Sequence, residues 1–309
     1  MTTLEQQAAD YLRIRRALGF KLERAEKLLA QYLAYIDGLG QDRVTVENAL
    51  DWARLPAAGA TGNWWAQRLS VVRCFATYLH ALDPAHEIPP ADVLASRIRR
   101  AVPYLYTEQE IWALMAVTDR LHTPLRRATY RTLIGLLAVT GMRVGEAIRL
   151  DRPDLDLSTG IVTVRDSKFG KSRELPLHAT TVTALREYLR IRDAHRHAEA
   201  SDALLISAAG TRLLYCNVHT TFRRLRTDAG LIASSSACRP RVHDLRHRFA
   251  VQTLLDWYRD GVEVPPRLPL LSTYLGHTHP RHTFWYLQAA PELIAIAGQR
   301  LEAAQEARP

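Results

Sequence analysis

Apolar side chains recur at helical spacing through the first 95 residues of the chain. In AEKLLAQYLAYIDGLG they return every three or four positions until two glycines stop the pattern. In TGNWWAQRLSVVRCFATYLHALDP they form one stripe, and Arg68 and Arg73 lie off that stripe. Two shorter stretches, around 4–17 and 45–54, have the same character. The pattern predicts a small helical bundle over residues 1–95.

The pattern changes in the segment DPAHEIPPADVLASRIRRAVPYLY, which carries four prolines. Prolines at this density favour a connection over a continuing helix, so a linker is predicted over 96–106. It contains the arginine triplet Arg97, Arg99 and Arg100. Thr107 and Glu110 then have the spacing of a capping box, which predicts a new helix and a second domain over 107–309.

The second domain mixes both periodicities. YRTLIGLLAVTGMRVGEAIRL predicts a buried helix that breaks at Gly141 and a short helix after it. The alternating run 161–164 and a short run at 174–177 predict a small antiparallel sheet with a hairpin tip at 167–172. Further helical patterns follow at about 179–198, 216–229, 243–259 and 281–302. The predicted fold class is mostly α with a small antiparallel β-sheet: a helical bundle followed by a mixed α/β domain.

Composition fits a globular protein, with 47% hydrophobic and 24% charged residues. The longest nearly unbroken apolar run, TLIGLLAV, is too short to cross a bilayer. The N-terminus lacks an apolar core behind a positive start, so no export signal is predicted. Three scattered cysteines fit free thiols in a reducing compartment. Together these features predict a cytoplasmic protein.

The net charge of +9 suggests a polyanionic partner. Only four of the 41 basic residues are lysines, and arginine's planar fork suits phosphate recognition. Genome base composition also enriches arginine, so charge alone leaves nucleic-acid binding open. Because lysine is so scarce, Lys168 and Lys171 on one predicted hairpin tip stand out, although exposed turns are also where lysines ordinarily lie.

Two arginine-containing motifs suit an anionic ligand. Arg143 is predicted at the start of a short helix, where free backbone N–H groups favour anions. Glu146 lies on the same helical face and could hold the guanidinium, although this pair alone also fits a surface ion pair. In RVHDLRHRFA, His243 and Arg246 share one helical face. A permanent cation opposes protonation of the imidazole, an arrangement that is useful around a phosphate.

The stretch LGHTHPRHTFWYLQ places His277 after a glycine and Tyr286 nine residues further on, on the next predicted helix. A metal-dependent hydrolase built on HTHPRH with His243 or His247 is an alternative. The histidine spacing fits a three-ligand set poorly, and the sequence shows no nearby acidic partner. Phe284 and Trp285 are predicted to have a structural role, in packing the helix that presents Tyr286 against the rest of the domain.

The order and spacing of these motifs resemble the tyrosine recombinase (phage-integrase-like) family. The resemblance covers the whole second domain, and the N-terminal bundle resembles the family's core-binding domain more loosely. The segment DWYRDGVEVPPRLPLLSTYLGH is longer and richer in proline than is usual for the family. Six positions match the family's catalytic residues, with Glu146 in support: Arg143, Lys168, His243, Arg246, His277 and the nucleophile Tyr286.

The resemblance implies a site-specific DNA recombinase that acts through a covalent 3′-phosphotyrosyl intermediate without a cofactor, metal or ATP. Arg143 and Arg246 would clamp the phosphate and His277 would hydrogen-bond it. His243 is the better candidate for the base, and Lys168 is the expected general acid. The alternative is a catalytically inactive DNA-binding relative that serves as an accessory recombination protein. The intact set of six residues argues against that alternative.

The resemblance also implies partners. The expected partner is a double-stranded recombination site, bound by a homotetramer or a mixed recombinase assembly near the bacterial nucleoid. A mobile-element recombinase is favoured over a large phage integrase. The C-terminal helix would dock on a neighbouring subunit or pack on its own domain, and the sequence leaves both open. The candidate DNA contacts outside the catalytic set are Arg68, Arg73, Arg97, Arg99 and Arg100.

Overall fold

A computed structural model of the chain divides into two compact units, residues 1–100 and 101–309. The described residues are 3–55, 62–94, 102–165, 172–195, 201–233, 235, 238–277, 279, 281–289, 292–293, 295–296 and 298. Within them, each helix is too short or too polar to cross a lipid bilayer. The predicted contacts Arg97, Arg99 and Arg100 and the predicted acid Lys168 lie outside the described residues.

The N-terminal unit is helical, as the sequence predicts. Its helices are α1 (Leu4–Ala17), α2 (Glu23–Gly38), α3 (Val46–Arg54) and α4 (Gly62–Leu82). Capping boxes at Thr3 and Thr45 begin α1 and α3. The apolar stripes of the four helices meet in one core, in which Tyr32, Trp52 and Phe75 are almost fully buried.

Arg68 belongs to this core, which corrects its prediction as a DNA contact. Only 5% of Arg68 is exposed. Its guanidinium lies 3.6 Å from the centre of the Trp52 ring and donates a 2.8 Å hydrogen bond to the Trp52 carbonyl. A cation stacked on a buried indole stabilises the interior. Arg73 lies nearer the surface, with long hydrogen bonds of 3.5 Å to Ser70 and to the Pro90 carbonyl.

The second unit combines helices with a three-stranded antiparallel sheet, so the predicted fold class is confirmed. Thr107 and Glu110 form the predicted capping box at the start of α5. The helices before the sheet are α5 (Glu108–Ala116), α6 (Pro124–Thr140) and α7 (Val144–Arg149). Those after it are α8 (Ala179–Asp193), α9 (Tyr215–Asp228), α10 (Asp244–Arg259), α11 (Leu268–Tyr274) and α12 (Arg281–Ala289).

The sheet has the order β1 (Leu155–Asp156), β2 (Ile161–Val164) and β3 (Arg173–Pro176). β2 has the predicted bounds, while β3 begins one residue earlier than predicted. The pairing of Val164 with Arg173 closes the ladder at the end nearest the connecting segment. Arg173 therefore belongs to the strand, on the same face as the buried Leu175.

The proline-rich stretch before LGH forms a helix that the sequence analysis missed. A 3₁₀ turn at Pro265–Arg267 leads into α11, which has a proline in its first turn. Proline is tolerated there because the first N–H groups of a helix have no intrahelical acceptor. Leu268, Leu271 and Leu275 bury this segment against α10 and α12. Leu293 is buried in the same cluster, so at this position the C-terminal segment packs on its own unit.

Candidate active site

Gly141 and Arg143 form the first part of the site, where α6 ends and α7 begins. Gly141 ends α6 with a φ of 60°, as the sequence predicts. A Cβ at Gly141 would also lie only 2.4 Å from a ring carbon of Phe249, so the turn requires glycine on two counts. Arg143 donates through its backbone N–H and its guanidinium to Glu146, over 2.9 and 2.7 Å. Its other terminal nitrogen donates to the carbonyl of Gly276 at 2.9 Å.

Glu146 is a buried carboxylate between two arginines. Only 3% of the residue is exposed. Besides Arg143, it accepts hydrogen bonds from Arg173 over 2.8 and 3.3 Å. Burial favours the neutral acid, but the bonds and charge of Arg173, together with Arg143, lower the pKa of Glu146 to about 2. The carboxylate therefore stays ionised and fixes both guanidinium groups.

Sequence reasoning missed Arg173. The signal was available in part, because strand alternation places it on the same face as Leu175. An inward-facing arginine needs a buried acceptor, and Glu146 lies 27 residues away in the sequence.

Arg246 on α10 lies at the centre of the site and is only 2% exposed. Its guanidinium donates to the carbonyls of Gly141 at 2.9 Å and Leu275 at 2.7 Å. Burial lowers the pKa of Arg246 to about 10, while its contact with the phenol of Tyr286 acts in the opposite direction. Even so, the guanidinium remains charged at neutral pH. It is a fixed cation whose charge interacts with the phenol of Tyr286.

His243 precedes α10 and is held neutral at physiological pH. Burial, followed by the charges of Arg246 and Arg143, lowers the pKa of His243 to about 4. The start of this helix is anchored by Asp244, which is fully buried and accepts from the guanidinium of Arg241 at 2.8 and 3.0 Å. A neutral imidazole in this position can accept a proton.

His277 and Tyr286 face each other across the turn between α11 and α12. Their rings are nearly parallel, with centroids 5.9 Å apart. Nδ1 of His277 lies 2.8 Å from the hydroxyl of Thr283, which is itself buried. Burial, and then the charges of Arg246 and Arg143, lower the pKa of His277 to about 3. Tyr286 is 3% exposed.

His247 also contacts the tyrosine, although the sequence analysis did not include it among the catalytic residues of a recombinase. Its ring centroid lies 5.4 Å from that of Tyr286, 5.0 Å from that of His243 and 5.1 Å from that of Trp285. The pattern HDLRH contained this signal, because a residue four positions after His243 lies on the same helical face.

The two aromatic residues before Tyr286 behave differently. Trp285 packs against His247 and Tyr286, which confirms its predicted structural role. Phe284 is 49% exposed, so the same prediction is wrong for that residue. On α12 it lies beside, not on, the face that buries Thr283 and Tyr286.

The described part of the site brings together five of the six predicted catalytic positions. These five residues are Arg143, His243, Arg246, His277 and Tyr286, and Glu146 fixes Arg143. Two cations, two neutral imidazoles and one phenol suit a phosphate ester that is attacked by an oxygen nucleophile. Among the described residues, no three histidine, cysteine or acidic side chains are arranged to hold a metal ion.

The sequence of this unit matches that of known recombination proteins. A sequence model of the Phage integrase family matches residues 105–292. The chain is 42% identical over 314 positions to the integrase/recombinase y4rB of Sinorhizobium fredii (strain NBRC 101917 / NGR234), covering all of both proteins. It is 30% identical over 226 positions to tyrosine recombinase XerC of Serratia marcescens, covering 73% of this chain and 70% of that protein.

The fold is also similar to solved recombinases bound to DNA. The Tn1549 transposon integrase with transposon right-end DNA matches with a TM-score of 0.63 and 17% identity, over 96% of this chain and 98% of that one. A lambda integrase tetramer on a Holliday junction matches with a TM-score of 0.59 and 19% identity, over 92% and 77%. At these identities the structures establish the fold, and the sequence matches establish the family. The chain belongs to the phage integrase family of tyrosine recombinases, enzymes that cut and rejoin DNA strands through a covalent tyrosine intermediate.

Proposed function

We propose that Tyr286 is the residue of this chain that attacks the DNA backbone. Its oxygen forms a bond to phosphorus while the bond from phosphorus to the 5′-oxygen breaks, which leaves a 3′-phosphotyrosyl link and a 5′-hydroxyl. The hydroxyl of another strand then reverses the step and releases Tyr286. One ester replaces another, so the exchange requires no external energy source. The observation that carries the proposal is the packing of the buried Tyr286 ring against those of His247 and His277, at centroid distances of 5.4 and 5.9 Å.

The two arginines would stabilise the charge that builds up on the phosphate oxygens. Arg246 is fixed by two backbone carbonyls and Arg143 by Glu146 and the Gly276 carbonyl. Preorganised donors need no reorganisation when the charge develops, and each is worth about 3–4 kcal/mol. With 30% of its side chain exposed, Arg143 can reach a bound phosphodiester. His277, whose ring stacks on that of Tyr286, would add a hydrogen bond to the phosphate.

His243 is our candidate for the base that accepts the phenolic proton. Ionising a phenol in water at pH 7 costs about 4 kcal/mol, so a proton acceptor and nearby cations are both needed. His243 is neutral because its pKa is about 4. A phosphodiester bound between Arg143 and Arg246 brings negative charge, which raises the pKa of His243 and makes it a stronger base. Lys168, which lies outside the described residues, would protonate the departing 5′-oxygen.

The test uses a nicked DNA substrate that traps the covalent intermediate. Wild-type protein should form an adduct that survives SDS, and Tyr286→Phe should form none while binding the same DNA with unchanged affinity. Tyr274→Phe is the matched control, because Tyr274 is another partly buried tyrosine of the same unit and packs on Phe249. Its adduct should form at the wild-type rate. Adduct formation by Tyr286→Phe overturns the assignment of the nucleophile, and a wild-type protein that binds DNA without reacting is instead an accessory relative.

We further propose that four copies act together on two double-stranded sites of a mobile element. The similarity to a transposon integrase and to a tetrameric lambda integrase supports this assembly. The helical N-terminal unit would serve as the core-binding domain. Sedimentation of the protein with its DNA site should give a complex of four chains and two duplexes. A complex that stops at two chains on one duplex contradicts the tetramer. Inverted repeats beside the coding sequence would support the mobile element.

A further inference from the structure

Arg173 lies next to the proposed phosphate site, and its side chain makes three hydrogen bonds. It begins β3, and 10% of its side chain is exposed. Nε donates to the carbonyl of Tyr274 at 2.7 Å. Its two terminal nitrogens donate to the two oxygens of Glu146, at 2.8 and 3.3 Å. All three nitrogens of the planar guanidinium therefore donate to protein acceptors.

The carboxylate that Arg173 holds is the one that orients Arg143. Each carboxylate oxygen of Glu146 accepts hydrogen bonds from both arginines. Oε1 accepts from the guanidinium groups of Arg143 and Arg173. Oε2 accepts from the guanidinium of Arg173 and from the backbone N–H of Arg143. Without Arg173, the buried Glu146 would keep one cationic partner and could rotate toward it. Arg143 would lose its fixed direction, because the anchor itself had become mobile.

Arg173 also shapes the turn that presents His277. The carbonyl of Tyr274 accepts a hydrogen bond from the Nε atom of Arg173, and the backbone of Gly276 passes close to the same guanidinium. A Cβ on Gly276 would lie 2.7 Å from the Nη1 atom of Arg173, so the backbone passes as close to the guanidinium as glycine permits. The carbonyl of Gly276 in turn accepts from Arg143. One guanidinium therefore contacts both the anchor of Arg143 and the residues just before His277.

We propose that Arg173 is a positioning residue for strand cleavage, one that holds Arg143 through Glu146 and the His277 turn through Tyr274 and Gly276. The inference rests on the proposed roles of Arg143 and His277. Arg173 does not touch the phosphate in this arrangement, because its fork is directed at protein acceptors. Its contribution is geometric, and misplacing reacting groups by about 1 Å can cost on the order of 100-fold in rate.

The experiment measures single-turnover cleavage of a nicked DNA substrate at saturating protein, together with DNA affinity and thermal stability. Arg173→Met should cleave about 100-fold more slowly than wild type. Arg173→Lys should recover about tenfold of that loss, because lysine keeps the charge but lacks the fork. The dissociation constant for DNA should stay within about threefold of the wild-type value for both variants, since the side chain at position 173 is directed at protein acceptors and not at DNA. If Arg173→Met does not fold, the lysine variant carries the test through a loss of about tenfold.

Arg212 provides the matched control. Its guanidinium also joins backbone carbonyls, those of Ile148 and Leu150, to a carboxylate, that of Asp151. Arg212→Met should lower the melting temperature as Arg173→Met does, yet cleave at the wild-type rate. Equal losses of cleavage in the two variants would show a general effect of stability and overturn the inference.

A double-mutant cycle with Arg143→Lys separates positioning from direct contact. If Arg173 acts through Arg143, Arg173→Lys should cost less than about threefold in the Arg143→Lys background. Two losses that multiply would overturn the link to Arg143 through Glu146 and leave only the one to the His277 turn, while wild-type cleavage by Arg173→Lys would overturn the inference. These outcomes differ from failure of the proposed function, in which the wild-type protein itself forms no adduct.

Discussion

The imidazole ring of His247 lies 5.4 Å from the phenol ring of Tyr286, and 5.0 Å from the ring of His243 in a nearly perpendicular arrangement. His247 therefore contacts both the proposed nucleophile and the proposed base. Its side chain is only 13% exposed, and Asp244 lies 3.9 Å from its Nε2 atom. This arrangement gives the phenol a second imidazole neighbour, which the sequence analysis considered only as a possible metal ligand.

We expect His247→Phe to cleave DNA at least tenfold more slowly than wild type, because phenylalanine keeps the ring packing and removes the polar nitrogens. Single-turnover cleavage at saturating protein is the measurement, and DNA affinity should not change. Trp285→Phe is the control, since it preserves an aromatic ring against His247 and should stay within about threefold. A fully active His247→Phe would limit His247 to packing.

The pH dependence of stability should reflect the histidines whose pKa is lowered in the folded protein. In the unfolded chain histidine titrates near pH 6.5, whereas in the folded protein the pKa is about 4 for His243 and about 3 for His277. As pH falls from 7.5 to 5.0, the unfolded chain therefore binds protons that the folded protein refuses, and stability is lost. The loss at pH 5.0 is at most about 2 kcal/mol for each histidine, and solvent screening reduces it further for His243, which is the more exposed of the two.

Thermal unfolding of wild type and His243→Gln at the two pH values checks this expectation. The variant should lose less stability between pH 7.5 and 5.0, because glutamine does not titrate. The other histidines and Glu146 are common to both proteins and cancel in the comparison. Equal losses in the two proteins would mean that His243 already titrates normally in the folded state.

The division between what the sequence predicted and what it missed follows the range of the interactions. Gly141, Arg143 and Glu146 lie within six positions, so helix-end chemistry and helical spacing predicted their arrangement correctly. The partnership of Glu146 with Arg173 spans a helix end and a strand, and no local periodicity reports it. Arg68 was misassigned for a related reason. An arginine outside the apolar stripe of its helix is expected to be exposed to solvent. The sequence pattern does not show that the Trp52 ring of another helix packs on the Arg68 guanidinium.

The proline-rich segment before His277 shows a different limit. Proline density suggested an irregular path, but prolines at the start of a helix favour its first turn, and α11 begins in that way. The family resemblance assigns His277 independently of this segment, because the glycine at 276 and the spacing to Tyr286 do not depend on the path before them. The position of Lys168 stays a prediction.

Lys168→Ala should distinguish a general acid from a passive cation. On normal DNA we expect cleavage to fall by about 100-fold or more, the usual contribution of a positioned acid. On a substrate with sulfur in place of the bridging 5′-oxygen, the loss should largely disappear, because a thiolate departs without a proton. The measurement is the ratio of cleavage rates on the two substrates. A ratio unchanged from wild type would rule out proton donation by this lysine.

Gly276→Ala should impair cleavage more than its backbone strain alone explains. Gly276 has a φ of +67°, which costs alanine about 1–2 kcal/mol, and its new methyl group would also meet the guanidinium of Arg173 at 2.7 Å. That guanidinium is tethered to Glu146 and the Tyr274 carbonyl, so it cannot simply swing away. We expect slower cleavage together with a lower melting temperature.

Gly261→Ala isolates the strain. Gly261 has a similar φ of +71°, but no atom lies within 4 Å of a Cβ built there. It should lose about the same 1–2 kcal/mol from strain and cleave DNA normally. If both variants cleave equally well, the close approach of Gly276 to Arg173 has no consequence for the reaction.

Arg73 and Arg68 should affect DNA binding in different ways, although both lie on α4. Each phosphate contact contributes about 0.9 to the slope of log affinity against log salt concentration, so Arg73→Ala should reduce that slope by about one if it contacts a phosphate. Arg68→Ala should leave the slope unchanged and lower the melting temperature, because it removes a buried contact with Trp52. Salt titrations of DNA binding by the two variants provide the measurement. A reduced slope for Arg68→Ala with full stability would contradict the interior role, since a guanidinium held on the Trp52 ring cannot also neutralise a phosphate.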